Sequence, residues 1–220
     1  RVWTFNIQKT NLIEKGIGTL LLEYQYQKAI QKYWRNVKFG LVLYSNPTIT
    51  FNKIIATMKK KDAKTYLLLK DIFPQNAVDL GMFSKGSFFY RMFRKKEERL
   101  YQLSDYIGCM SPANVDYVLR HNREVDIRRV EVCPNSIELC KAEEQACPKG
   151  ALAQKLNIPT DKILFIYGGN LGRPQGLDFL IEVLAANEKR NDSFFIIVGS
   201  GTEFMKLKMW FDTNTPHNAC

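Results

Sequence analysis

No stretch of this chain approaches the roughly 18 consecutive apolar residues that a membrane-crossing helix requires, which excludes an ordinary helical membrane span. The five cysteines are odd in number and include none of the close pairs that zinc sites favour. Cys133, Cys140 and Cys147 recur seven residues apart, a spacing that fits neither a zinc site nor a disulfide framework, so free thiols in a reducing cytoplasm are expected. A G-x-G-x-x-G fingerprint with an acidic residue at the next strand end is missing, which argues against a dinucleotide-dependent oxidoreductase. Internal repeats, low-complexity tracts and recognisable nucleic-acid motifs are also absent. The chain begins at Arg1 without a secretory signal, and we expect a piece of a longer polypeptide.

What is present is the composition of a globular protein: 220 residues, 45% hydrophobic and 25% charged, enough to bury a real core in one large domain or two small ones. Lysine and arginine outnumber the acids by 32 to 22, giving a net charge of +10 and pointing to an anionic partner. Residues 1–10 are ambiguous. From there the pattern reads as a helix over Gly18–Arg35, a buried strand over Phe39–Tyr44, a helix over Ile49–Lys60 and a strand over Thr65–Leu69. A strand at Tyr106–Met110 leads into a helix capped by Ser111-Pro112, and a last short strand spans Arg129–Cys133. The alternation predicts an α/β fold with parallel, doubly wound sheets. His121 closes the helix Ala113–His121 and reads as a partner for the negative end of its dipole.

The stretch Asp161–Glu203 carries the most chemistry. Lys162–Tyr167 is an unbroken apolar run, as in a strand buried on both faces of a parallel sheet. A turn rich in glycine follows, then Leu177, Leu180, Ile181 and Leu184 at helical spacing, then a second strand, Phe194–Val198. This is one β-α-β unit, and ligands of open α/β sheets sit at the carboxyl ends of such strands. Gly168, Gly169 and Gly172 are expected to supply positive φ and a close backbone approach, and the amides of Gly169, Asn170 and Leu171 to face a ligand. The helix start favours an anion, and Arg173 can engage two phosphate oxygens at once. Gly199, Gly201 and Glu203 form a second loop whose carboxylate suits sugar hydroxyls. The competing reading leaves these glycines as tight turns and Arg173 as a solvated charge.

Taken together, Tyr167-Gly-Gly-Asn-Leu-Gly-Arg-Pro-Gln-Gly-Leu-Asp178 and Ile197-Val-Gly-Ser-Gly-Thr-Glu203 resemble the donor-binding half of a GT-B glycosyltransferase. The likeness is to the bacterial family numbered 4, in its surface-polysaccharide branch that includes N-acetylfucosamine transferases. Leu43–Phe51, Leu69–Asn76 and Cys133–Glu138 match in the same order. The resemblance implies two Rossmann-like domains, both incomplete here: residues 1–135 on the acceptor side, a linker over 136–160, and residues 161–220 as the first part of the nucleotide-sugar domain. It implies retaining transfer from a nucleotide-diphosphate sugar to a lipid-linked saccharide in O-antigen or capsule assembly, without a metal. Arg173 would stabilise the leaving diphosphate with the loop amides and Gln175, which stands where many relatives carry lysine. Asp71 would orient or deprotonate the acceptor, beside Asn46 and Thr48; its other reading is a turn cap. The glutamate pair that holds donor sugar and ribose in that family would lie beyond Cys220, so this piece alone is expected to be inactive.

Phe88–Arg99 crowds aromatics against dense positive charge. That pattern suits an interfacial helix on the inner face of the cytoplasmic membrane, and equally a core-packing helix with a solvated end. A non-catalytic basic module for anionic membrane or nucleic acid is the alternative to the enzyme, and steep salt dependence would mark the nucleic-acid case.

Overall fold

The computed structural model describes Thr4 and residues 12–45, 50–139, 153–154, 158–159 and 161–220. The chain divides into two compact units, Arg1–Ile137 and Glu138–Cys220.

In the first unit the described elements run α1 (Leu12–Tyr33), β1 (Leu41–Ser45), α2 (Asn52–Lys59), β2 (Lys64–Leu69), α3 (Gln75–Asp79), α4 (Phe88–Leu103), β3 (Tyr106–Cys109), α5 (Pro112–His121) and β4 (Val130–Val132). The strands form one sheet in the order β1-β2-β3-β4, every pair parallel. Alternation along β2 sets its faces: Thr65, Leu67 and Leu69 are buried, whereas Lys64, Tyr66 and Leu68 are not. The buried face meets Ile55 of α2, Leu100 and Tyr101 of α4, and Val118 of α5. On the same side Ile30 of α1 packs with Ile54 and Met58 of α2 and with Val42 of β1.

The helix starts follow local chemistry. Ser111 accepts from the Asn114 amide at 3.3 Å with Pro112 in the first turn, as the sequence predicts. Ser87 does the same for α4, accepting from the Tyr90 amide at 3.1 Å. By contrast α1 begins six residues before the expected Gly18, and α2 begins at Asn52, with Phe51 as an N-cap that makes no side-chain bond. A short helix that the sequence pattern also predicts, Ala151–Leu156, falls mostly outside the described residues.

The second unit contains β5 (Ile163–Asn170), α6 (Leu177–Asn187), β6 (Ser193–Ser200) and α7 (Phe204–Asn214). The two strands pair in parallel from Ile163↔Ser193 to Asn170↔Ser200. One sheet face, carrying Tyr167, Phe195 and Ile197, packs on Leu177 and Leu184 of α6 and Leu207 of α7. The opposite face is bare: Ile166 is 70% and Val198 60% exposed. The expectation that Lys162–Tyr167 is buried on both faces is therefore corrected. Both helices lie on one side, and no further element covers the other among the described residues. Sequence reading also missed an isolated bridge beside β6. Phe195 bridges Ala219 in parallel, with the Ile197 amide donating to the Cys220 carbonyl at 2.8 Å.

Candidate functional site

The site expected from the sequence lies at the carboxyl ends of β5 and β6, where two loops are bonded backbone to backbone. The Leu171 amide donates to the Ser200 carbonyl at 2.9 Å, and the Leu171 carbonyl accepts from the Glu203 amide at 2.9 Å. The Leu171 side chain is buried in the cluster with Leu177, Leu184 and Leu207. Two glycines permit this approach: a Cβ on Gly199 would lie 2.1 Å from the Gly169 carbonyl oxygen, and one on Gly201 2.3 Å from that of Leu171.

Of the positive φ expected of Gly168, Gly169 and Gly172, only Gly169 shows it, at φ 157°, and the left-handed turn of the loop falls elsewhere. Gly168 and Gly169 are the end of β5, because the strand continues through them to Asn170. Gly172 has φ −119°, and it is Gly176, at φ 64° and ψ 49°, that turns the chain into α6. Between them Arg173–Gln175 makes one 3₁₀ turn. Arg173 is exposed there, and its guanidinium has no partner among the described residues. Asn170 Nδ2 donates to Gln175 Oε1 at 3.3 Å, and the Tyr167 hydroxyl to the Asn170 backbone carbonyl at 2.9 Å, so the loop braces itself. No side chain caps α6, which leaves its positive dipole end beside Arg173. Lys206, in the first turn of α7, is neutralised by an ion pair to Asp178 in the first turn of α6, a tie that the sequence reading missed. Glu203 is half-buried at the start of α7, its side chain making no cap. One uncommitted guanidinium, a helix start and a nearby carboxylate can hold a diphosphate and a polyhydroxy group.

In the first unit Asp71 follows β2 at its carboxyl end and is exposed. Asn46 and Thr48 lie outside the described residues, as do Cys140 and Cys147. Cys109, Cys133 and Cys220 are free. Among the described residues no three histidine, cysteine or acidic side chains converge as metal ligands, and no helix is long and apolar enough to cross a membrane. His121 sits as expected at the end of α5, with Nδ1 2.8 Å from the Tyr117 carbonyl and its ring 3.9 Å from that of Tyr117.

The core-packing reading of Phe88–Arg99 holds for part of the helix. Phe93 packs against Phe73 and Phe83, ring centroids 5.1 and 6.3 Å away, while Phe88 and Phe89 are 71% and 58% exposed. Arg94 reaches Glu97 at 2.5 Å and Asn122 Oδ1 at 2.6 Å, and Tyr101 donates to Glu97 at 2.7 Å. Burial pushes the Glu97 carboxyl above its ordinary range, outweighing the Tyr101 hydroxyl and the Arg94 guanidinium that pull it down. These charges lock α4 to the end of α5 and are not a solvated face.

Comparison with solved structures places the fold with the GT-B glycosyltransferases. HepE of Anabaena, solved in complex with UDP, matches with a TM-score of 0.57 at 14% identity, over 93% of this chain and 52% of that one. A glycosyltransferase from Rickettsia africae matches at 0.52 and 14%, over 98% of this chain and 52% of that one. A UDP-glucosyltransferase from Polygonum tinctorium that glucosylates indoxyl matches at 0.53 and 10%, over 100% and 57%.

Among curated sequences, WbjE of Pseudomonas aeruginosa, a probable glycosyltransferase, is 25% identical over 205 residues, covering 88% of this chain and 47% of its own length. WcaI of Escherichia coli K12, provisionally named a colanic acid biosynthesis glycosyl transferase, is 29% identical over 154 residues, 65% of this chain and 35% of its own. The chain thus spans half or less of the curated relatives it matches. No protein-family model matches it.

Proposed function

We propose that this chain is part of a retaining glycosyltransferase that moves a sugar from a nucleotide-diphosphate donor to a lipid-linked saccharide during assembly of a bacterial surface polysaccharide. The observation that carries the proposal is the pair of backbone-bonded loops at the β5–β6 strand ends with Arg173 uncommitted between them. The GT-B fold and the names of WbjE and WcaI support it.

In this reading the diphosphate lies over the start of α6. As the anomeric bond breaks, charge accumulates on the departing phosphate, and Arg173 with the uncapped amides of the first turn of α6 stabilises it without reorganising, the Leu171 amide being spent on the Ser200 carbonyl. A fixed guanidinium and a helix dipole do the work that a metal does in other sugar transferases, so no metal is required. Glu203 accepts from hydroxyls of the donor, Gln175 holds the loop through Asn170, and Asp71 meets the acceptor from the first unit. Phe88 and Phe89, in the first turn of the basic α4, rest on the inner face of the cytoplasmic membrane where a lipid-linked acceptor is presented.

Titration of the 220-residue chain with UDP, followed by amide NMR, tests the site. The signals of residues 169–176 and 199–203 should move. Arg173→Ala should weaken binding about 10- to 100-fold, as expected when a charge-assisted contact is removed. Unchanged affinity, or shifts confined to the first unit, would remove this loop from donor binding.

A further inference from the structure

At the amino ends of β2, β3 and β4, on the sheet edge opposite the expected acceptor side, the first unit holds a second pocket of about 500 Å³. That volume is within the range of small-molecule sites. Lys59, Lys64, Arg128 and Arg129 line it with two acids, Asp105 and Asp126.

Both acids are already engaged. Asp105 accepts from Lys59 Nζ at 2.8 Å and from the Thr65 amide and hydroxyl at 2.9 Å. Asp126 takes the Arg128 fork at 2.6 to 3.1 Å. The donors, in contrast, are not used up. Arg129 spends Nε and Nη2 on the carbonyls of Asp105, Tyr101 and Ser104, which pins the guanidinium and leaves its Nη1 hydrogens uncommitted. Lys59 gives two of its three hydrogens, to Asp105 and the Leu103 carbonyl. Lys64 Nζ and the Tyr106 hydroxyl have no partner among the described residues. Two pinned cations with hydrogens to spare, one uncommitted lysine and two carboxylates already paired call for a ligand made of acceptors and bearing negative charge.

We propose that this pocket binds a phosphate or diphosphate group, separately from the donor loop and independently of the glycosyltransferase reading. Room remains beyond the phosphates, and the half-exposed ring of Tyr106, stacked on Tyr66 at 6.4 Å, is placed to lie against an attached organic moiety.

The test is titration of the 220-residue chain with inorganic pyrophosphate at physiological salt, about 0.15 M. Arg173→Ala removes the donor-loop contribution, so the remaining binding reports this pocket. In that background Lys64→Glu should weaken it at least about tenfold. Arg128→Gln, which relaxes Asp126, serves as a second variant, and thermal unfolding of both checks that the fold persists. A fall in co-sedimentation with phosphatidylglycerol vesicles on Lys64→Glu would identify a lipid headgroup as the source, and unchanged co-sedimentation a soluble phosphate. Pyrophosphate binding equal to the parent in both variants would overturn the site, as would binding abolished at physiological salt, which marks an adventitious ion only. Failure of Arg173→Ala to alter UDP binding would bear on the donor loop alone, and the difference between Lys64→Glu and its own background would still report this pocket.

Discussion

Replacing Gly199 with alanine tests the strand-end geometry most directly. The new Cβ would lie 2.1 Å from the Gly169 carbonyl oxygen and 3.0 Å from Leu171 Cγ. Contacts under 3.0 Å do not survive, so the two strand ends must part by about 0.9 Å. That movement stretches the 2.9 Å bonds joining Leu171 to Ser200 and Glu203 beyond useful length. Two lost hydrogen bonds at about 1 kcal/mol each, with about 1–3 kcal/mol of overpacking strain, give a destabilisation of about 3–5 kcal/mol. Gly201→Ala, 2.3 Å from the Leu171 carbonyl, should behave alike. Gly168→Ala is the control: nothing lies within 4 Å of its Cβ, and the change should be close to neutral. Urea unfolding followed by circular dichroism measures the difference, and hydrogen exchange at the Leu171 and Glu203 amides localises it. Coincident curves for Gly199→Ala and Gly168→Ala would mean that the loops do not meet as described.

Two further outcomes come from the first unit. Phe93→Ser should cost about 3 kcal/mol or more, because its ring fills the cluster with Phe73 and Phe83, whereas Phe88→Ser/Phe89→Ser should leave stability nearly unchanged and reduce vesicle binding. Equal effects of the two on stability would return Phe88 and Phe89 to the core. Burial raises the Asp105 carboxyl, but bonds from Lys59 and Thr65 outweigh it and hold the group below its ordinary value. With the folded value depressed, its stabilisation is complete above the unfolded value near about 3.9 and fades as pH falls through the folded one. Asp105→Asn should therefore lose about 1–3 kcal/mol at neutral pH, and the gap from the parent should close in acid; a gap independent of pH would refute the linkage.

The β-α-β unit was legible because apolar runs and helical spacing are local signals, and Ser111-Pro112 marked α5 for the same reason. What escaped was set by contacts distant in sequence. Glycines 168 and 169 resemble turn residues in the string, yet pairing with β6 keeps them in the strand, and close approach explains Gly199 and Gly201 better than their own φ values. Phe88, Phe89 and Phe93 look alike in sequence; the position of Phe73 and Phe83 decides which one is inside. Arg94 and Glu97 read as solvated until Asn122 and Tyr101 arrive to bury them.

Leu171 joins the two loops through its amide, its carbonyl and its side chain, all within the protein itself. Arg173 follows two residues later and Glu203 is bonded to the same peptide, so the backbone carrying both charges is set in advance. If the proposed donor binds here, it would meet backbone already in place and lose little affinity to the ordering of loops. Under that proposal, discrimination between sugars would fall to side-chain ends such as the Glu203 carboxylate, and exchanging that one group should alter donor choice while phosphate binding stays as it was.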